Sequence, residues 1–216
     1  MLSGTIASTI AESQPLKHSL DILVAGLTFQ GLGIMVAFLM YSQYIYRLIT
    51  QGLPDSNARP GMFIAVGPPS FTALALIGMS KATVQLFPAY GTISGISHTE
   101  LIPDYLQILA LAIAIFLWAV AFWFFCISLI AVIGGIKGWE EMTFHLGWWG
   151  LVFPNVGFAI ATIKIGQAFE SEGILWIGSI FTLLLITLWL FVGYHHILAV
   201  WRRKIMWPGK DEDHDS

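Results

Sequence analysis

The sequence predicts an all-α membrane protein: about five transmembrane helices preceded by a half-helix. Three observations carry that reading. Hydrophobic residues make up 56% of the chain and charged residues only 11%, whereas the surface of a water-soluble domain needs roughly a quarter of its residues charged. Mean hydropathy is +0.76. The apolar residues also gather into runs of about 18 or more with few charges, the length a helix needs to cross the hydrocarbon core.

The elements follow in order. "MLSGTIASTIA" is apolar but only about 11 residues long; without a basic start or a clear cleavage site it reads as half a helix rather than a signal. Five spans come next: Ile22–Ile45, Met62–Met79, Leu106–Ile133, Phe144–Ile163 and Ile174–Val200. The second and fourth are the shortest, and they are the two interrupted by proline. Between the first two, "GLPDSNARPG" has the chemistry of a loop, with Pro60 biasing Arg59 away from helix. The longest connection, "ATVQLFPAYGTISGISHTELIPDY", separates the second span from the third.

Orientation follows from the lysines and arginines. Counting alternate connections, Arg47, Arg59, Lys137, Arg202, Arg203, Lys204 and Lys210 share a side with the C-terminus, against Lys17, Lys81 and Lys164 on the other. The positive-inside rule places the C-terminus in the cytosol. Trp148, Trp149, Trp176, Trp201 and Trp207 sit near span ends, as an interfacial belt would. We expect one membrane domain over residues 1–206 and an acidic cytosolic tail over 207–216. The tail "DEDHDS" supplies much of the formal charge of −3, and the lone Cys126 leaves no intramolecular disulfide.

The second span carries "AVGPPSFTALA", residues 65–75. Proline has no N–H, so Pro68 and Pro69 deprive the carbonyls of Ile64 and Ala65 of their helical partners. Broken backbone at membrane depth is tolerated where it is buried in protein or lines a water-filled cavity. A helix that stops at Gly67 and restarts with Pro68 in its first turn would aim the N–H groups of Ser70, Phe71 and Thr72 at the break. Such a helix start attracts anions. "WWGLVFPNVGFAIA" repeats the device at Pro154, with the amide of Asn155 beside it. Gly150, Phe153 and Gly157 fall at i, i+3 and i+7, which leaves Phe153 on a face otherwise stripped of side chains.

Two readings of these spans stay open on spacing alone. One is a conduction path with Phe153 as a plug. The other is close packing, since proline kinks and small-residue faces also serve helix contacts. For Gly26, Gln30 and Gly33 in the first span, the helix-contact reading is preferred.

The segments "SGTIAS", "AGLTFQGLG", "RPGMFIAVGPPSFTALALIGM", "WWGLVFPNVGFAIATIKIG" and "WPGKDED" resemble the tellurite-resistance and dicarboxylate transporter family, in its fungal malic acid transporter branch. Plant slow anion channels are relatives in the same family. The resemblance implies ten helices, odd-numbered ones kinked around a central pore and even-numbered ones in an outer ring. The chain then matches the C-terminal half of such an anion-channel-like fold. Its proline-broken spans become pore-lining helices seven and nine, and Phe153 resembles the gating phenylalanine, with Phe144 as the fallback.

The pathway residues so implied are Gly67, Pro68, Pro69, Ser70, Thr72, Gly150, Phe153, Pro154, Asn155 and Gly157. No fixed charge sits in the middle of a span. Helix ends and hydroxyls would hold a di-anion weakly enough to release it. Lys164 at an outer span end either attracts anions or snorkels.

The expected function is transport of small organic anions, malate and other C4-dicarboxylates first. Sulfite or inorganic anion efflux is the alternative within the family, and a non-conducting truncated or accessory subunit is the alternative of another class. Nucleotide-binding glycine patterns are absent, and no catalysis, cofactor, metal or nucleic-acid partner is expected. His195 and His196 are adjacent and point about 100° apart on a helix, which suits a metal centre poorly. Expected partners are the small organic anion and the lipid bilayer, that of the plasma membrane, and the resemblance implies further copies of the chain in a homotrimer.

Overall fold

The computed structural model describes residues 2–90, 99–135 and 144–205. The tail over 207–216 lies outside the described residues, as do Lys137 and Lys210. Among the described residues the chain is helical throughout: α1 (Ser3–Ala11), α2 (Leu16–Gln51), a 3₁₀ segment (Ser56–Val66), α3 (Gly67–Tyr90), a short 3₁₀ turn (Thr99–Leu101), α4 (Ile102–Gly135), a second 3₁₀ segment (Leu146–Leu151), α5 (Phe153–Ala168) and α6 (Glu172–Trp201). Each of the five expected spans is found, longer at both ends or at one, and the N-terminal half-helix is α1. Five helical stretches are long and apolar enough to cross a membrane.

Burial sorts these helices into two layers. In the most apolar window of each span, 67% of the stretch containing α3 and 56% of that containing α5 is buried, against 28% for α2 and α4 and 6% for α6. α3 packs on α1, α2, α4 and α5, and α5 on α3, α4 and α6. The inner helices are therefore α3 and α5, with the long, continuously apolar helices outside them and α1 packed on α2 and α3. An apolar surface all round suits a helix facing lipid.

Small residues set the inner spacing. A Cβ on Gly26 would lie 2.3 Å from Ala7 Cβ, and one on Gly78 would lie 2.6 Å from Ser8 Oγ. α1 thus sits against α2 and α3 at backbone distance, the close approach that small residues allow between membrane helices. Gln30 fastens the joint: its Oε1 accepts from Gly4 N–H at 3.2 Å, and its Nε2 donates to Thr72 Oγ1 at 2.8 Å. The polar residue of α2 is a helix contact, as its small-residue surroundings suggest.

Aromatic rings fill the outer joint. Trp118 and Phe125 of α4 stack on Phe158 of α5 at 5.4 and 5.5 Å, and Phe181 of α6 meets Phe158 edge-on at 5.3 Å. Trp118 Nε1 donates to Thr162 Oγ1 at 2.8 Å, so its polar atom is paired inside the layer.

Three expectations need correction. The "GLPDSNARPG" stretch is not a plain loop, because Ser56 onward winds into a 3₁₀ helix that includes Arg59 and Pro60. In such a helix the N–H of residue 60 would donate to Asn57 O, which proline cannot do. His145 Nε2 takes that carbonyl instead. Arg59 is helical too, and its guanidinium donates to Pro54 O at 3.0 Å and to Ala131 O at 3.1 Å, tying the segment to α4.

Second, the connection after the second span begins later than expected, since α3 runs to Tyr90; residues 91–98 lie outside the described residues. Third, the chain does not open a gap at Gly67. The 3₁₀ segment runs directly into α3, so the break is a change from three-residue to four-residue turns. Gly67 N–H donates to Ile64 O.

Candidate anion-pathway groove

Two consecutive prolines leave two carbonyls to be paired, and each has a partner. Ile64 O takes the Gly67 N–H. Ala65 O accepts from Tyr41 Oη of α2 at 2.8 Å. Ser70 Oγ lies 2.7 Å from Val66 O and 3.0 Å from Gly67 O, and Thr72 Oγ1 donates to Pro68 O at 2.7 Å. Unpaired backbone groups in an apolar interior are costly, so the Gly67 N–H and the Tyr41 hydroxyl make the double proline tolerable. Ser70 and Thr72 are buried, and their hydroxyls are committed to the backbone and to Gln30.

The fourth span follows the same plan. The 3₁₀ segment Leu146–Leu151 leads into α5, with Pro154 in its first turn. The imidazole of His145 caps the segment by accepting from Gly147 N–H at 3.1 Å through Nδ1. Nε2 therefore carries the proton that Asn57 O receives. Trp149 Nε1 donates to His196 Nδ1 at 2.9 Å. Phe144 packs at 5.5 Å on Trp148 and at 5.7 Å on His196, in this aromatic–histidine cluster.

The two helix starts meet. A Cβ on Gly67 would lie 3.6 Å from Pro154 Cβ, and one on Gly150 would lie 2.8 Å from Pro60 O. Glycine at 150 therefore lets the two 3₁₀ segments touch along their backbones. Around this junction lies an open groove of about 490 Å³, lined by Ile64, Gly67, Pro68, Phe71, Leu146, Gly147, Trp149, Gly150, Phe153 and Pro154. Five of the residues read from sequence, Gly67, Pro68, Gly150, Phe153 and Pro154, come together here.

Phe71 is the residue that the sequence reading passed over as a contact. Its ring covers Gly157, where a Cβ would come within 2.9 Å of ring carbons. The same ring lies 5.3 Å from that of Phe153, tilted by 32°. The face around Phe153 is thus not bare: a ring from α3 fills the space that the glycine leaves. Phe153 itself is 55% exposed. Only the pairing of a buried aromatic on one helix with a glycine on another could have signalled this, and that pairing has no signature in one sequence.

Pro69, Ser70 and Thr72 lie behind the groove wall, fully or nearly fully buried. Asn155 stands two residues after Phe153, on the opposite side of α5. It lines a different cavity, with residues of α4 and α6.

Comparison with known proteins identifies the family. The family model described as voltage-dependent anion channel (SLAC1) matches residues 1–197. A malic acid transport protein of Schizosaccharomyces pombe is 33% identical over 213 residues, 99% of this chain and 47% of its own length. A putative malic acid transport protein of the same yeast is 32% identical over the whole chain and 49% of its own length. The sulfite efflux pump SSU1 of Trichophyton rubrum is 21% identical over 88% of the chain. The chain spans about half the length of these curated relatives. No solved structure matches it. With a family model covering most of its length and five helices able to cross a bilayer, the chain is an integral multi-pass membrane protein and belongs to the voltage-dependent anion channel family.

Proposed function

We propose that this chain contributes one wall of a pathway for small organic anions, with malate and other C4-dicarboxylates as its substrates. The groove at the paired starts of α3 and α5 is that wall, and Phe153 is the ring that moves for an anion to pass. The observation that carries the reading is the Phe71–Phe153 pair, held over Gly157 where two helix starts converge. A wall without fixed cations releases a di-anion readily. The choice of malate rests on relatives named for malic acid transport at 32–33% identity, against 21% for the sulfite pumps.

In this reading the C-terminus is cytosolic, the membrane is the plasma membrane, and the working form is a homotrimer. Gly67, Pro68, Gly150, Phe153 and Pro154 face the anion. Pro69, Ser70, Thr72 and Gly157 act from behind by shaping the wall.

The test is labelled malate uptake in cells lacking a dicarboxylate carrier. It compares this chain alone with the chain joined to the N-terminal half of the S. pombe malic acid transport protein, expression being matched. Uptake that sulfite does not compete for supports the dicarboxylate reading. Uptake of sulfite in place of malate would move the chain to the efflux function of its more distant relatives. Uptake of neither by either form, with both in the membrane, would overturn the proposal.

A further inference from the structure

Away from the groove, a cavity of about 480 Å³ lies between α4, α5 and α6, floored by the first 3₁₀ segment. Its wall is apolar and aromatic: Phe63, Phe125, Trp148, Phe181, Leu184 and Phe191 are among the lining side chains. That size lies within the ~300–1,000 Å³ of sites that enclose a whole small molecule. Leu129 of α4 and Leu184 of α6 flank its mouth and are 39% and 54% exposed, so it opens sideways between these two long apolar helices.

One acceptor in this wall is out of place. Asn155 is 5% exposed, and its Oδ1 has no hydrogen-bond partner among the described residues. The amide cannot be turned around, because its other atom donates to Leu151 O at 2.9 Å, which only Nδ2 can do. Buried polar atoms in folded proteins are nearly always paired. Thr187, the other hydroxylated or amide side chain in the lining, already donates to Leu183 O. A lone water needs two to four polar partners, which a wall almost wholly of carbon supplies poorly.

We propose that this cavity is a lateral binding site for a neutral, largely apolar alcohol dissolved in the bilayer, whose hydroxyl donates to Asn155 Oδ1. The chemistry selects each property. No charged residue lines the cavity, so the ligand is neutral. The open atom is an acceptor, so the ligand must donate. The remaining wall is hydrocarbon and ring, so the body of the ligand is apolar. The mouth lies between two helices long and apolar enough to cross a membrane, so the ligand arrives from the membrane. Asn155 is then a ligand-binding residue on the side of α5 away from Phe153, and the inference stands whether or not the groove conducts.

The experiment reconstitutes the chain in phosphatidylcholine vesicles and photolabels it with a diazirine-bearing long-chain alcohol or with the methyl ether of the same alcohol. Labelled peptides are located by mass spectrometry. The expected result is label within residues 125–132 and 181–191, favouring the alcohol by roughly 2- to 12-fold, the range one ordinary hydrogen bond supports. Asn155→Leu should abolish the preference. Equal labelling by alcohol and ether, or a preference that survives Asn155→Leu, would overturn the proposal. Should Asn155→Leu fail to fold, Leu184→Trp decides: it narrows the mouth without touching the amide, and undiminished labelling there would equally overturn the proposal.

Discussion

The ring of Phe71 on α3 lies 5.3 Å from the ring of Phe153 on α5 and rests on the bare backbone of Gly157. An exposed aromatic on one helix is thereby positioned by a buried aromatic on another. An aromatic pair is worth ~0.5–1.5 kcal/mol beyond its buried area. If Phe153 closes the pathway, Phe153→Ala raises malate uptake roughly 2- to 12-fold at matched expression. Gly157→Ala puts a methyl group against the Phe71 ring, drives that ring toward the groove and lowers uptake, and Phe71→Ala in the same chain relieves it. Uptake unchanged by Gly157→Ala would show that the ring spacing does not matter.

Tyr41 carries the pairing of the carbonyl that Pro69 strands. Tyr41→Phe keeps the ring but leaves Ala65 O without its donor, in surroundings where Tyr41 is 8% exposed. The expected cost is about 1–3 kcal/mol, read as a lower unfolding midpoint in detergent. Ser42→Ala one residue on removes an exposed hydroxyl that bonds Phe38 O within its own helix, and should change little. Equal effects from the two substitutions would remove the special role of Tyr41.

Gln30 joins three helices through Gly4 and Thr72. Hydrogen bonds between membrane helices measure ~0.6 kcal/mol on average and up to ~1.7. A double-mutant cycle of Gln30→Leu and Thr72→Val should return a coupling energy within that span. Gln30→Leu alone should cost more than Thr72→Val alone, because it also strands the Gly4 N–H. Additive effects would mean that the bond contributes nothing net.

His145 substitutes for the N–H that Pro60 lacks. His145→Phe should therefore loosen the Ser56–Val66 segment, seen as faster amide exchange or proteolysis there. Adding Pro60→Ala supplies a backbone donor for Asn57 O and should recover part of the protection. A double variant no more protected than His145→Phe would show that the imidazole holds the segment in some other way.

Much of the architecture was legible because it follows from solvent and covalent chemistry. A chain that is 56% hydrophobic must hide its backbone polar groups from lipid, and helices do so within themselves. Run length then located five spans, and the missing N–H of Pro68, Pro69 and Pro154 marked the two that change their turn. The short, glycine- and proline-bearing spans proved to be the most buried, because close packing needs small residues. That "GLPDSNARPG" winds into a 3₁₀ helix was not legible, since its missing donor comes from His145, 88 residues away.

What only the tertiary structure decided is which faces meet. The sequence placed Phe153, Asn155 and Gly157 on one short span and assigned all three to the pathway. Folding put Phe153 in the groove, laid Phe71 over Gly157, and turned Asn155 toward α4 and α6. Helical period sets the angle between residues on one helix, but which neighbour occupies each angle depends on contacts between segments far apart in the chain. Those contacts leave no mark on local pattern.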